Sequence, residues 1–247
     1  MPKWLQRTLI GFLSVVVVLA VIVGIYAQPL TAQSAALGAM KGSATVTVRD
    51  EANQIVYAPN AGSSKGLIFY QGAKVAPQAY SVALLEIAAA GYMVFVPKMP
   101  LNFAVLGSGA AKAIIDAHPE ISGWAIAGHS LGGAMACSYA TGDPRVNVLI
   151  FWAAYCDKSF DLSANSSITV TSISGALDGL ATPAKVAATK IYAPSSTVYI
   201  NIPGMNHAQF GDYGPQSGDN PATLGAPEAT GRVVAATLTA LEQLRAK

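Results

Sequence analysis

The chain has 247 residues, 52% of them hydrophobic and only 11% charged, with a formal net charge of +2 and two cysteines. Near-balanced charge with no stripe of lysine and arginine argues against a nucleic-acid partner. No internal repeat is evident, and the roughly 200 residues beyond the first forty suit one domain with its own core.

The amino terminus stands apart. Lys3 and Arg7 precede residues 8–27, an uncharged run centred on Val15-Val16-Val17-Val18-Leu19. About twenty such residues, as helix, span a bilayer core of roughly 30 Å. A cleavable leader has a shorter apolar core of about 7–15 residues that ends at a small-residue site. Ser34-Ala35-Ala36 offers such a site, but the length of the run favours an uncleaved anchor. The positive residues before the run, against a single Lys41 after it, place the amino terminus inside. Residues 1–27 are therefore expected as a membrane anchor, or as a signal peptide if cleaved. Residues 28–43, small and polar, read as a tether, and 44–247 as an extracytoplasmic domain.

Within that domain, residues 44–48 alternate and are β-branched, and with 54–57 they read as a hairpin. Residues 66–70 form a continuous apolar strand of the kind buried on both faces. A helix over 77–90 is closed by Gly91. A strand at 92–96 ends at Pro97, 104–117 reads as helix, and 124–127 is strand again. Further strands are expected at 146–152, 168–173 and 197–202, with helices after Ser130, at 182–190 and at 228–245. Strands alternating with helices define an α/β fold: a mostly parallel sheet covered on both faces, here with an antiparallel edge. In such sheets the site lies at the carboxyl ends of the strands. Cys137 falls two turns into the helix after Ser130, and Cys156 follows the next strand. In an oxidising compartment they are either a disulfide or two small buried apolar side chains.

The strand at 124–127 runs directly into Gly128-His129-Ser130-Leu131-Gly132. Strand, sharp turn and helix around Gly-x-Ser-x-Gly give a nucleophile elbow, in which a strained turn exposes the serine hydroxyl. The helix that begins there points its positive end at developing negative charge. A serine hydroxyl needs a base, usually a histidine oriented by a carboxylate. Of three histidines, His118 sits before a proline at a helix end and His129 is held inside the elbow. His207 follows the last strand, where a loop at the carboxyl edge begins. Asp178 lies just past the preceding strand, and the order Ser130, Asp178, His207 is that of the α/β-hydrolase triad. Asp157 and Asp161, one strand earlier, and Asp212, beyond the histidine, are the rival carboxylates. Oxyanion donors are expected from the backbone of Leu131 and of Gly72 or Ala73.

These residues, with Gly133 and the run Asn206-His207-Ala208-Gln209-Phe210-Gly211-Asp212-Tyr213-Gly214, resemble the α/β-hydrolase superfamily. Within it they are most similar to the small, lid-less bacterial branch related to dienelactone hydrolases. The segments Tyr70-Gln71-Gly72-Ala73-Lys74-Val75 and Val96-Pro97-Lys98-Met99-Pro100 also look like stretches of that branch. The resemblance covers most of the chain beyond Gly66, and it implies the hydrolase fold and the triad. One departure matters: true dienelactone hydrolases carry a cysteine nucleophile, whereas this elbow carries Ser130. In addition, Gln71-Gly72 replaces the usual histidine-glycine pair.

Fifteen residues, 153–167, separate the strands between which many relatives insert a lid, so an open site is expected. The long loop 204–227 carries His207, and its Gln209, Phe210 and Tyr213 are possible substrate contacts, as are Lys98 and Met99 at the rim. The expected activity is cleavage of a small-molecule carboxylic ester or thioester through an acyl-enzyme, with no metal and no organic cofactor. Two alternatives stand beside it. One is a membrane-tethered acyltransferase with the same triad, and the other a non-catalytic binding protein on a hydrolase fold.

Overall fold

The structure is a computed structural model, and it describes residues 2–26 and 28–245. Eight strands form one sheet in the order β1-β2-β4-β3-β5-β6-β7-β8. They are β1 (Val46–Asp50), β2 (Gln54–Pro59), β3 (Lys65–Tyr70), β4 (Met93–Pro97), β5 (Gly123–His129), β6 (Val146–Trp152), β7 (Thr169–Gly175) and β8 (Val198–Ile202). β1 and β2 pair antiparallel, with Val48 opposite Tyr57, and β2 is antiparallel to β4. Every other pairing is parallel. The expected hairpin edge and parallel body are therefore both present.

Alternation along the central strands divides the core. Leu67, Phe69, Ala125, Ala127, Val148 and Ile150 face one layer, while Ile68, Tyr70, Trp124, Ile126, Leu149 and Phe151 face the other. Period-two side chains buried on both sides give the continuous apolar runs seen in the sequence. The first layer is closed by α3 (Ser81–Ala89) and α7 (Ala226–Leu241), and the second by α4 (Ala110–Ala117) and α5 (Leu131–Gly142). Trp152 Nε1 donates to Thr237 Oγ1 at 3.0 Å, which satisfies a buried indole where α7 crosses β6. Between β7 and β8, α6 (Pro183–Thr189) is capped by Thr182, whose hydroxyl accepts from Lys185 N.

Three expected elements differ. The helix expected over 77–90 opens as a 3₁₀ turn at Pro77–Tyr80 before α3. The helix expected over 104–117 is broken: a 3₁₀ turn at Ala104–Leu106 precedes α4, because Gly107-Ser108-Gly109 interrupts it. The stretch expected as a tether contains a short helix, α2 (Ser34–Ala39), and is docked on the domain. Leu30 N donates to Lys74 O (2.7 Å), Gln33 N to Asp212 O (2.8 Å), and Ala36, fully buried, donates its N–H to Asp212 Oδ2 (2.8 Å). The small residues that read as a linker are what allow α2 to pack this closely.

α1 (Lys3–Tyr26) contains most of the expected anchor. Residue 27 and the side chains of 19–23, 25 and 26 lie outside the described residues. Among the described residues no helix is long and apolar enough to cross a membrane.

Candidate active site

The chain leaves β5 at His129 and enters α5 at Leu131, so Ser130 alone makes the turn, with φ 53° and ψ −123°. Positive φ at a non-glycine residue is strained and persists only where the surroundings enforce it. Here Ser130 N donates to Trp152 O (2.9 Å) on the neighbouring strand, and Ser130 O takes N–H groups from Gly133 and Ala134. Two flanking glycines make room. A Cβ on Gly128 would lie 2.5 Å from Gly132 O, and one on Gly132 would lie 2.2 Å from Tyr70 O. The elbow is thus pressed against the end of β3, whose following loop, 71–76, lies alongside. Sheet order reverses at β3, with β4 on one side and β5 on the other, so the site sits at the topological switch point.

Asp178 and His207 come from the loops after β7 and β8. His207 Nδ1 lies 2.8 Å from Asp178 Oδ2, and both side chains are wholly buried. The other carboxylate oxygen, Oδ1, accepts from Leu180 N (2.8 Å) and Ala181 N (2.7 Å). Three neighbours fix the orientation of the carboxylate. The His207 loop is braced in turn by Asp219, whose Oδ2 accepts from Ala208 N (2.9 Å) and Oδ1 from Gly179 N (2.9 Å), joining both loops. His207 Nε2 is buried and has no hydrogen-bond partner among the described residues. The ring of His129, the residue before Ser130, lies 4.5 Å from that of His207. The elbow and the Asp178–His207 pair therefore meet at one point of the sheet's carboxyl edge.

His129 is wholly interior and part of a relay. Its Nδ1 is 2.9 Å from Tyr80 Oη, and Tyr80 Oη accepts Gly72 N–H at 2.9 Å. Burial, and then the neighbouring His207, hold the His129 imidazole well below the usual histidine range, so it is neutral. Burial likewise pushes the Tyr80 phenol above its ordinary range. The relay corrects one expectation: the Gly72 N–H is committed to Tyr80, which leaves Ala73 as the candidate donor from that loop. Leu131 N is the first of α5, where no intrahelical acceptor exists. Gln71, the departure from histidine-glycine, is fully buried, and its amide donates to Pro97 O (3.0 Å) and accepts from Met99 N (3.3 Å). It ties the loop after β3 to the loop after β4. Neither this tie nor the Tyr80–His129 relay carried a sequence signal beyond the polar identity of the residues.

The remaining candidates lie elsewhere. Phe210 and Tyr213, expected as substrate contacts, are interior: Phe210 stacks on His129 at 5.5 Å, and Tyr213 Oη donates to Gln216 Oε1 (3.0 Å). Gln209 braces its own loop, accepting from Asn206 N and donating to Leu224 O. Met99 is buried, and Lys98 pairs with Asp50 (2.6 Å) and with Glu51 O at the far hairpin turn. Phe210, Tyr213 and Met99 are buried because an apolar loop this close to the sheet buries its own large side chains, whereas Gln209 and Lys98 are half-buried and held by the polar contacts just given. Asp157 and Asp161 close exposed turns through Ser159 N and Ser163 N. His118 packs on Phe95 beyond the amino end of β5 and bonds Glu120 (2.7 Å).

Access is open. Residues 153–168 carry neither helix nor strand, so no cap crosses the edge there. Cys137 of α5 and Cys156 of this segment are joined by a disulfide. A cavity of about 480 Å³ lies behind the His207 loop, lined by Gln33, Asn206, Gln209, Asp212 and Pro215 among others; Ser130 does not line it. Among the described residues no cluster of histidine, cysteine and carboxylate could hold a metal ion.

With this geometry in view, comparison with known proteins gives the class. A model of the alpha/beta hydrolase family matches residues 66–230. The chain belongs to the alpha/beta hydrolase family and is an enzyme of the hydrolase type. No curated protein sequence matches it. Three solved structures share the fold. One, assigned as a dienelactone hydrolase from Klebsiella pneumoniae subsp. pneumoniae, is 14% identical (TM-score 0.55, covering 77% of this chain and 92% of that one). A second, assigned as a CIB-like hydrolase from Thermoplasma acidophilum, is 14% identical (TM-score 0.59, 77% and 97%). The third, the esterase domain of a Rhodothermus marinus protein, is 13% identical (TM-score 0.60, 80% and 98%). At this level of identity the likeness is one of fold, and with the family match it bears out the expected resemblance to the α/β hydrolases.

Proposed function

We propose that the chain is a serine hydrolase that cleaves a carboxylic ester or thioester through an acyl-enzyme. One observation carries this reading: a buried Asp178–His207 pair with an unpartnered His207 Nε2, in ring contact with the residue preceding an elbow serine. In this mechanism Ser130 Oγ attacks the carbonyl carbon while His207 Nε2 takes its proton. The tetrahedral oxyanion is received by the N–H groups of Leu131 and Ala73, aided by the positive end of α5. The imidazolium, steadied by Asp178, returns the proton to the departing alcohol or thiol. A water then attacks the acyl carbon with His207 as base, releasing the acid and Ser130. In the unliganded state the serine–histidine hydrogen bond is often loose and tightens around substrate, which fits the free Nε2.

Residues 8–27 serve, in the same reading, as a membrane anchor that leaves the catalytic domain on the extracytoplasmic side. Support comes from the uncharged length of the run, from Lys3 and Arg7 before it, and from a disulfide suited to an oxidising compartment. The test is reaction of the chain with a fluorophosphonate probe beside Ser130→Ala and His207→Ala. Labelling of the parent lost in both variants is the expected result. A folded parent that does not label overturns the reading.

A further inference from the structure

Beyond α1, six large apolar side chains are exposed among the described residues, and three of them, Leu101 (60%), Val105 (54%) and Leu106 (57%), belong to one short loop. That loop follows β4 at the carboxyl edge of the sheet, beside the elbow, and Gln71 ties its root to the candidate oxyanion loop. It is held in an uncommon shape. Leu101 and Asn102 both have positive φ (51° and 58°), a conformation a leucine adopts only at a cost. In this conformation the Leu101 side chain stands in solvent.

The loop is also next to where the chain leaves α1. Leu30 N donates to Lys74 O (2.7 Å), and Lys74 N donates to Asn102 O (2.9 Å), so a single residue bridges the segment after α1 and the apolar loop. Only three residues, and so four Cα–Cα steps, separate Tyr26, the end of α1, from Leu30. Four such steps reach at most about 14 Å even when fully extended. With residues 8–27 in a bilayer, the loop 100–106 is therefore held within reach of the membrane surface.

Resting on the anchor reading above, we propose that Leu101, Val105 and Leu106 insert into the lipid surface and hold the mouth of the site against it. The substrate class that follows is an ester resident in the membrane, such as an acylated lipid, delivered sideways from the bilayer. A lid-less site needs such a seat, because a long acyl chain presented through water has nothing else to cover it. Apolar side chains at a headgroup boundary are the chemistry of interfacial binding.

The test uses the full chain in phosphatidylcholine–phosphatidylglycerol vesicles. Because the two native cysteines are bonded to each other, a Leu106→Cys variant can be labelled selectively with a nitrobenzoxadiazole dye without reduction. Ile191→Cys, at an exposed position on the connection between α6 and β8, sets the rate for an unprotected dye. Dithionite is expected to bleach the dye at 106 at least tenfold more slowly than at 191. Equal bleaching in chains that float with the vesicles overturns this proposal and leaves the anchor standing. Chains that do not float overturn both. Protection that grows with the protein-to-lipid ratio assigns the face to a second copy and also overturns it. In a second measurement, Leu101→Asp combined with Leu106→Asp is expected to keep the labelling rate with a water-soluble fluorophosphonate. The same variant should lose at least tenfold of its turnover of a long-chain ester embedded in vesicles. Equal loss on both would mean a role in folding alone and would overturn the assignment.

Discussion

Asp178 accepts His207 Nδ1 at 2.8 Å with one oxygen and the N–H groups of Leu180 and Ala181 with the other, so the carboxylate cannot turn without breaking two backbone bonds. In the proposed mechanism this pairing keeps the proton on Nδ1 and leaves Nε2 to act as the base. Asp178→Asn keeps the shape and removes this control, since the amide can present its N–H to Nδ1. A fall of about 10³- to 10⁴-fold in fluorophosphonate reaction rate is expected. A rate within tenfold of the parent would show that another carboxylate orients the base.

Tyr80 is the centre of the relay from Gly72 N through Oη to His129 Nδ1. Tyr80→Phe preserves the ring packing on Phe69 (4.7 Å) but orphans two buried polar groups. Leaving buried groups unsatisfied costs about 1–3 kcal/mol each, so a loss of roughly 2 kcal/mol or more is expected in urea unfolding. The loop 71–76 would also loosen, slowing probe reaction several-fold. An unchanged unfolding midpoint would rule the relay out as a structural tie.

Much of this site was legible in the sequence because its parts obey local rules. The elbow declares itself by glycines whose absent side chains admit Tyr70 O and Gly132 O, and Asp178 and His207 follow from where strands must end. What could not be read is the choice among neighbours in space. Nothing local says that Gly72 would spend its N–H on a tyrosine eight residues away, or that Phe210 would stack inward on His129. The docking of residues 30–36 was missed for the same reason. Small, polar residues read as a linker, whereas Lys74 and Asp212, far along the chain, supply the acceptors that hold them. At 104–117 a helical pattern overrode Gly107 and Gly109, which break it.

His129 links the fold to pH. Burial and the neighbouring His207 depress its folded-state pKa well below the unfolded value, so below about pH 6.5 the unfolded chain binds a proton that the native chain refuses. Stability is then fully present above that value and declines as pH falls, by up to about 1.4 kcal/mol per pH unit for this one group. Thermal melts of the parent between pH 7.5 and 5 should show a falling midpoint. His129→Gln, which has no proton to bind, should flatten the fall even if its midpoint at pH 7.5 is lower. Parallel slopes in the two proteins would remove His129 as the cause.

Gly132 sets how closely the elbow can approach β3. A Cβ there would meet the backbone carbonyls of Tyr70 (2.2 Å) and Gln71 (2.4 Å), and backbone atoms cannot swing aside as a side-chain tip can. Gly132→Ala must therefore push α5 away from the candidate oxyanion loop, separating Leu131 N from Ala73 N. The expected outcome is a folded but destabilised protein, by about 1–3 kcal/mol for overpacking. Its reaction with a fluorophosphonate should fall by at least 10²-fold, the scale seen when one oxyanion donor is lost. Gly142→Ala, at the other end of α5 where nothing lies within 4 Å of the added Cβ, is the matched control and should leave both stability and rate near the parent values. A Gly132→Ala variant that reacts as fast as this control would show that the donors do not depend on the close approach of α5 to β3.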